Sequence, residues 1–361
     1  MFKTLTIGAG ALAIGAGALV MAGLVGASSV HAADVCPGEK PDSIVVNASG
    51  GAMANAMRKA FSADFEKIHG IEVIDTSPAN FGKLKAMVTS GNVEWTVTEI
   101  GGQDVLTAVE EGLLMKVDPK IVDRSRFPKE AQELEYWFAK SAYSTVMAYS
   151  TKAFPNGHPT TWAEFWDVKK FPGPRSLRNH PVDNLEYALM ADGVAPKDLY
   201  PLDVDRAFRK MDEIAPNITV WWKSGQQPAQ LLLDGEVVLA SGWNGRFYNL
   251  IKDDAPMAIE WNQGLIKLSA YGIPKGSPHP CWAQQYLAVM TDPKRQAVYA
   301  EEIGYPGLHL DSPKYVNEKL AKNLPTHPDN ISKQVWTDTV WWRDHGQEVH
   351  ERWNKWMLKN Q

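Results

Sequence analysis

The sequence predicts an α/β fold in two units, each a mostly parallel sheet flanked by helices, with strands crossing between the units. Short Val/Ile-rich runs alternate with amphipathic stretches from residue 42 onward, which is the order of a parallel sheet covered by helices. Extended runs at residues 143–150 and 268–276 interrupt this alternation and are predicted to carry the chain across and back. A chain of 361 residues, 44% of them hydrophobic, is long enough for two domains of ordinary size.

Residues 1–33 are predicted to be a signal peptide and not part of the fold. Lys3 precedes an uncharged Gly/Ala/Leu run at residues 5–25, and residues 28–33 have the small side chains of a signal peptidase site. We expect cleavage near Ala32 or Ala33 and export to the periplasm. An uncleaved membrane anchor is the alternative, because the apolar run is long enough to span a bilayer. The cleavage pattern favours the signal peptide.

Cys36 and Cys281 are the two cysteines of the sequence and a candidate disulfide, since an exported protein meets an oxidising compartment. Such a bond would tie the mature N-terminus to the body of the protein. The net charge is −5 and no long basic run is present, so nothing in the sequence favours nucleic acid. We expect a monomer with no cofactor.

The first unit is predicted from three successive strand–helix pairs. They fall at residues 42–48 (strand), 52–69 (helix), 71–75 (strand), 80–90 (helix), 95–99 (strand) and 103–111 (helix). Two glycine pairs, Gly50–Gly51 and Gly101–Gly102, stand where a strand turns into a helix. Glycines there let a ligand approach the backbone, and the helix N-terminus offers free N–H groups to an anion. A plain tight turn explains either pair alone, but two pairs at equivalent positions favour a binding edge.

The second unit is predicted over residues 151–269, and its most informative stretch follows the strand at residues 237–240. That strand ends in the polar and aromatic cluster of residues 241–246, and α/β proteins bind ligands at such strand ends. Trp243 offers a flat face for a ligand, although a core Trp beside a turn is equally plausible. Arg246 could bind a carboxylate with two hydrogen bonds, stack on a ring, or lie on the surface.

The domain organisation follows from the return of the chain at residues 268–276. Helices predicted at residues 280–291 and 294–302 follow it, and a Trp-rich helical region over residues 336–358 ends the chain. The predicted divisions are lobe 1 at 34–144 and 271–330, lobe 2 at 145–270, and a C-terminal helical region at 331–361 that packs on the lobes.

Asp183 and Glu186 begin a predicted helix and have two interpretations. The local pattern favours a capping box, in which Glu186 reaches back to the N–H of Asp183. The alternative is a carboxylate pair that receives the ammonium group of a ligand. No G-x-S-x-G, H-E-x-x-H or P-loop pattern is present, so we expect no enzyme. The competing class is a secreted hydrolase that uses the cleft between the two units.

Five motifs in order resemble those of the periplasmic solute-binding proteins of ABC importers, the spermidine/putrescine-binding type above all. They are Thr161-Trp-Ala-Glu-Phe-Trp166, Gly235-Glu-Val-Val-Leu239, Trp243-Asn-Gly245, Tyr271-Gly-Ile-Pro274 and Glu302-Ile-Gly-Tyr-Pro306. The resemblance implies a type II-like periplasmic-binding-protein fold whose two lobes close on a solute. It also implies delivery to a permease and ATPase at the inner membrane. Presentation of the ligand to a membrane sensor is an alternative role.

Four residues match the polyamine site of that family. Asp183 and Glu186 match its amine-holding acids, Trp243 matches its strand-end Trp, and Tyr305 matches the Tyr of its Gly-Tyr-Pro motif. The resemblance therefore favours the interpretation of the two acids as ligand residues over the interpretation as a helix cap.

The departures from the family lie at the other end of the site. The aromatic Asn-Trp-x-x-Tyr pattern is replaced by Ser49-Gly50-Gly51, the next loop carries Gln103, and Lys267 and Ser269 stand where the family has Trp-x-Asp. One acidic end is thus predicted to be kept and the other lost, and a Lys beside helix N-termini favours an anionic group. The predicted ligand is a small amine-bearing solute, polyamine-like or a smaller zwitterion. Thiamine and phosphonate-type solutes are the alternatives.

Overall fold

The computed structural model describes residues 36–102 and 104–360, so the predicted signal peptide lies outside the described residues. The strands are β1 (Ser43–Asn47), β2 (Glu72–Thr76), β3 (Val97–Ile100), β4 (Phe138–Ser150), β5 (Arg175–Arg178), β6 (Ile218–Trp222), β7 (Leu239–Trp243), β8 (Met257–Gly272) and β9 (Val335–Trp336). Helices cover the sheet, as the α/β prediction requires.

The helices are α1 (Ala52–Met57), α2 (Ala63–His69), α3 (Phe81–Ser90), α4 (Val105–Glu110), α5 (Lys129–Gln132), α6 (Trp162–Trp166), α7 (Pro181–Ala191), α8 (Val204–Ile214), α9 (Gln227–Leu233), α10 (Asn244–Lys252), α11 (Pro280–Val289), α12 (Pro293–Ile303), α13 (Glu318–Ala321), α14 (Pro328–Ile331) and α15 (Thr339–Met357). A π-helical turn, Arg58–Ser62, joins α1 to α2. Among the described residues, no helix combines the length and apolarity needed to cross a membrane.

The strands form one continuous sheet in the order β2–β1–β3–β8–β4–β7–β5–β6, with β9 beside β8. Pairing is parallel between β1 and both β2 and β3, and between β5 and both β6 and β7. The two parallel groups meet at the crossing strands β4 and β8, which pair antiparallel over most of their length. The two predicted sheets are therefore continuous, because the strands that cross between the units are hydrogen-bonded to each other.

Both crossing strands are longer than the sequence predicts. β4 begins at Phe138 and β8 begins at Met257, well before the predicted starts at residues 143 and 268. The register shifts between Thr145 and Met147, opposite a stretch of β8 that contains Gln263 at a positive φ of 60°. This bulge breaks the alternation of apolar and polar residues that identifies a strand.

Buried apolar side chains form three clusters that divide the molecule. The first cluster draws on residues 36–139 and 270–305, and we call this part lobe 1. The other two draw on residues 146–265, and the second also includes residues 341–357; together they are lobe 2. The lobe boundaries predicted at 144/145 and 270/271 fall within β4 and β8 and stay a prediction. Cys36 and Cys281 form a disulfide that ties the start of the described chain to α11.

The C-terminal helix packs four Trp side chains into lobe 2, those of Trp341, Trp342, Trp353 and Trp356. It begins at Thr339 and not at residue 336 as predicted. The Asp338 side chain accepts hydrogen bonds from the backbone N–H groups of Val340 and Trp341, which fixes the start of the helix. The residues before it pair with β8 as strand β9.

Candidate functional site

A solvent-open cleft has walls from both lobes. Its wall is made by Ser49, Met53, Ala79, Asn80, Phe81, Glu99, Ile100, Gly101, Gly102, Asp104, Tyr143, Arg178, Trp243, Arg246, Ser269 and Tyr305. The carboxyl ends of β1, β3, β5 and β7 all contribute to this wall or lead directly into it. Ligands of open α/β sheets bind outside the carboxyl ends of the strands, so this cleft is the candidate binding site.

Glu99, near the end of β3, is the buried carboxylate of the cleft, with only 8% of its surface exposed. The backbone N–H of Ser49 donates to its Oε2 at 2.7 Å, and the Ser269 hydroxyl donates to its Oε1 at 2.8 Å. Burial raises the pKa of Glu99, but the charge of Lys140 and the hydrogen bonds from Ser49 and Ser269 outweigh it and hold the pKa below its usual value. Glu99 is therefore an anion at neutral pH.

Lys140, on β4, is the counter-charge of this carboxylate. Its Nζ lies 3.4 Å from Glu99 Oε1, and the side chain is 1% exposed. The same Nζ lies 4.9 Å and 4.8 Å from the ring centroids of Tyr271 and Tyr299. Burial lowers the pKa of Lys140, and the charge of Glu99 opposes that shift. Because Glu99 lines the cleft and Lys140 does not, Lys140 neutralises the carboxylate from behind the cleft wall.

Arg246, in the first turn of α10, is the buried cation of the cleft and is 4% exposed. Its Nε and Nη1 have no hydrogen-bond partner among the residues that the structure describes. A guanidinium is always charged and carries only donors, so buried donors without a protein partner are costly unless water or a ligand accepts from them. Arg246 is therefore suited to hold an anionic group.

The start of α10 is pressed against lobe 1 because Gly245 has no side chain. A Cβ at this position would lie 2.3 Å from the carbonyl oxygen of Ile303 and 2.7 Å from Cε1 of Tyr305. The Tyr305 ring lies 5.7 Å from the ring of Tyr143, and both line the cleft. Burial raises the pKa of Tyr305 to about 12 and also raises the pKa of Tyr143. The two phenols are therefore neutral and form an aromatic wall with hydroxyl groups.

Trp243 ends β7 and lines the cleft from lobe 2. The Trp222 ring stands edge-to-face beside it at 5.7 Å, and Arg178 lies over the Trp243 ring with its Cζ 5.3 Å from the centroid. The sequence predicts Trp243 as a ligand platform, and the structure puts its ring in the wall of the cleft together with a cation.

Asp183 lies behind the cleft wall and is 1% exposed. Its Oδ1 forms an ion pair with Lys267, and its Oδ2 accepts from the Thr145 hydroxyl at 3.0 Å. The backbone at Asp183 has a φ of 78°, so the helix proper begins only after this residue. The cation that the sequence predicts for an anionic ligand is thus occupied by an acid of the protein.

Glu186 is also buried and does not line the cleft. Its Oε2 accepts from the N–H of Asp183 at 3.0 Å, as the capping interpretation predicts. Its Oε1 accepts from the Tyr200 hydroxyl and the Trp342 indole N–H, both at 2.7 Å. Burial, and then the charge of Asp183, raises the pKa of Glu186 to about 7. This carboxyl connects α7 to the C-terminal helix.

The predicted ligand residues therefore fall into three groups. The cleft wall brings together Ser49, Trp243, Arg246, Ser269 and Tyr305. Away from the wall are Gly50, Gly51, Asp183, Glu186 and Lys267, and Gln103 lies outside the described residues. The backbone N–H of Ser49, next to the first glycine pair, donates to the carboxylate of Glu99.

Sequence reasoning missed Glu99, Arg178 and Tyr143, which supply much of the charge and aromatic surface of the cleft. A signal for Glu99 was present, since it is the one charged residue near the end of the buried strand β3 and stands two positions before a glycine pair. Arg178 lies in β5, and no sequence motif distinguishes it. No group of three His, Cys, Asp or Glu side chains suited to a metal ion occurs among the described residues.

Comparisons with known proteins agree with this architecture. The family model described as bacterial extracellular solute-binding protein matches residues 57–328. The chain is 35% identical to a gamma-aminobutyric acid-binding protein of Pseudomonas aeruginosa over 328 residues, which are 88% of this chain and 91% of that protein. It is 23% identical to the spermidine/putrescine-binding periplasmic protein of Salmonella typhimurium over 76% of this chain and 82% of that protein.

Solved structures give the same result. An ABC transporter substrate-binding protein from Bradyrhizobium japonicum superposes with a TM-score of 0.83 at 39% identity, over 87% of this chain and 99% of that one. The structure of the Atu4243 GABA receptor superposes with a TM-score of 0.80 at 33% identity, over 87% and 97%. These relatives are solute-binding proteins and not enzymes, and the periplasmic-binding-protein fold predicted from the motifs is confirmed. The chain belongs to the bacterial extracellular solute-binding protein family.

Proposed function

We propose that this chain captures a small zwitterion, a solute with an ammonium group at one end and a carboxylate at the other, such as GABA. The observation that carries the proposal is the buried guanidinium of Arg246, whose Nε and Nη1 lack hydrogen-bond partners among the described residues. It lines the same cleft as the Glu99 carboxylate. Relatives at 35% and 33% identity are a GABA-binding protein and a GABA receptor, which supports this choice of solute.

Arg246 would hold the carboxylate of the solute. The planar guanidinium matches a carboxylate with two parallel hydrogen bonds, which are among the stronger hydrogen bonds in proteins. The hydroxyl of Tyr305 belongs to the same wall and is neutral, because burial raises its pKa to about 12. It can therefore donate to an anionic oxygen.

Glu99 would hold the ammonium group. Its carboxylate is fixed from behind by Lys140 and by hydrogen bonds from Ser49 and Ser269, so it needs little reorganisation on binding. The polarity of the proposed site is opposite to the sequence-based prediction. The acid belongs to lobe 1 and the cation to lobe 2, since Asp183 is already paired with Lys267.

A polyamine fits this arrangement poorly. Its second ammonium would meet the guanidinium of Arg246, which repels it. A polyamine also has no anionic group to accept hydrogen bonds from that guanidinium. Asp183 and Glu186, which match the amine-holding acids of the polyamine-binding branch, are occupied by Lys267 and by Tyr200 and Trp342. Of the two solute classes predicted from the sequence, the smaller zwitterion is therefore the one proposed.

The proposed role is that of the periplasmic substrate-binding component of an ABC importer, acting as a monomer after removal of the signal peptide. The cleft has walls from both lobes, so a solute bound there contacts both and favours the closed state. The closed protein would then pass the solute to a permease and ATPase at the inner membrane.

Isothermal titration calorimetry on the mature protein tests the proposal with four solutes: GABA, butyrate, putrescine and spermidine. We expect GABA to bind most tightly. Arg246→Met should weaken GABA binding about 10- to 100-fold, because that is the effect on affinity of losing hydrogen bonds between charged groups. Arg209→Met is the matched control, because Arg209 is exposed and lies away from the cleft. Tighter binding of putrescine or spermidine than of GABA would overturn the proposal.

A further inference from the structure

We infer, on the basis of the proposed function, that Arg178 is a specificity-determining residue that closes the Trp243 ring to organic cations. An indole ring at the end of a strand is an attractive site for an ammonium group. Here the protein's own guanidinium already lies over that ring. A surface that would otherwise select amines therefore presents a second arginine to the anionic end of the solute.

The sheet fixes this arrangement. Arg178 is the last residue of β5, and its partner in the register with β6 is Trp222. On the other side β5 pairs with β7, which ends at Trp243. The Arg178 side chain thus leaves the sheet between two indoles, with its Cζ 5.6 Å from the Trp222 centroid and 5.3 Å from that of Trp243.

The Trp243 ring has little freedom to expose another surface. A Cβ added at Gly225 would lie 2.3 Å from Cζ3 of Trp243, so the loop backbone is close against the indole. Trp222 is buried and stands edge-to-face beside it, with an interplanar angle of 83°. Because its neighbours hold the ring from these directions, the guanidinium of Arg178 controls what reaches the ring from the cleft.

The charge of Arg178 is not cancelled by Asp183. Asp183 and, more weakly, Asp104 of the cleft wall attract the guanidinium electrostatically, but the carboxylate of Asp183 is already in an ion pair with Lys267. Burial lowers the pKa of Arg178, and the acids around it oppose that shift. An arginine remains protonated in proteins. A solute cation approaching Trp243 therefore meets the guanidinium that already lies over the ring, whereas a solute carboxylate meets two guanidiniums in the cleft wall, those of Arg178 and Arg246.

The test compares GABA with n-butylamine, which has the same amine and lacks the carboxylate. Calorimetry on wild type and Arg178→Met gives the affinity of each. We expect Arg178→Met to bind n-butylamine about tenfold more tightly, the scale of a cation–π contact in a partly dry site. GABA should bind about tenfold more weakly, since one charged donor is lost. Putrescine should gain in the same direction as n-butylamine.

Three further variants make the result specific. Arg209→Met is the matched Arg-to-Met control and should leave both affinities unchanged. Adding Trp243→Leu to Arg178→Met should abolish the gain for n-butylamine, because the gain depends on the exposed indole. Arg178→Lys keeps a positive charge and should still reject n-butylamine. Circular dichroism establishes that each variant is folded, and Arg178→Gln replaces Arg178→Met in the same comparison if the latter is not.

The inference and the proposed function fail in different measurements. If the wild-type protein did not bind GABA, the proposed function would be lost. The n-butylamine comparison between wild type and Arg178→Met would still decide the role of Arg178. No gain in n-butylamine affinity in a folded Arg178→Met protein, or a gain that survives Trp243→Leu, overturns the inference.

Discussion

Replacing Glu186 with Gln should flatten the dependence of stability on pH. Glu186 is fully buried between Asp183, Tyr200 and Trp342, and burial raises its pKa from 4.5 to about 7. Between these two pH values the folded protein holds a proton that the unfolded chain has released. Below the pKa of the unfolded chain both states bind the proton, so Glu186 does not change the free energy of unfolding. Above it the free energy of unfolding falls, and this contribution is lost as the pH rises through the folded pKa.

The size of the effect follows from the two pKa values. Their difference is 7 − 4.5, or about 2.5, and each pH unit is worth about 1.4 kcal/mol. Wild type should therefore lose about 3 kcal/mol of unfolding free energy through this one group between about pH 4.5 and about pH 8. In Glu186→Gln the side chain stays neutral, so this contribution disappears.

Urea denaturation at about pH 5 and about pH 8 measures the effect as a difference of differences, in which the other titrating groups cancel. Glu186→Gln lowers stability at low pH, because its NH₂ group meets the N–H of Asp183, but that cost is the same at both pH values. Glu236→Gln, at an exposed position, is the matched control and should keep the wild-type slope. Parallel pH dependences of wild type and Glu186→Gln would refute the burial argument.

Two further predictions concern the site. Lys140→Met removes the largest of the effects that oppose burial at Glu99, so the pKa of Glu99 rises. Calorimetry should then show GABA affinity falling from about pH 7 to about pH 5 in the variant but not in wild type. Equal pH profiles would contradict this. Gly245→Ala should destabilise the protein by about 1–3 kcal/mol in urea, because the new Cβ meets the carbonyl of Ile303 at 2.3 Å. Gly346→Ala is its control: the nearest atom is 3.8 Å away within α15, so stability should stay equal or rise by about 1 kcal/mol.

The lengths of the crossing strands show one limit of predicting strands from sequence patterns. The alternation of strands and helices was readable in the first unit, because its strands are short apolar runs with glycines close to one end. β8 was not readable over its first half, since a bulge around Gln263 interrupts the pattern. Only the pairing with β4 keeps these residues extended, and that partner is remote in the chain.

The pair Asp183 and Glu186 shows a second limit. A capping box and an amine-holding pair have the same spacing, so the local sequence cannot separate them. In the structure the partner of Asp183 is Lys267 on β8, and the partners of Glu186 include Trp342 on α15. The resemblance to polyamine-binding proteins adds weight to the ligand interpretation. A motif match alone, however, does not show which side chains of the protein fill the space around the two acids.

By itself, the sequence determined the α/β class, the family and several wall residues of the cleft, because hydrophobic periodicity and ordered motifs are local properties of the chain. Only the tertiary structure decided which charged side chains line the cleft and which are paired within the protein. The sheet brings Lys140 behind Glu99 and Lys267 against Asp183, and it leaves Arg246 with unpaired donors among the described residues. Electrostatic pairing depends on distances between residues far apart in sequence, so the polarity of the site appears only when the strands are in register.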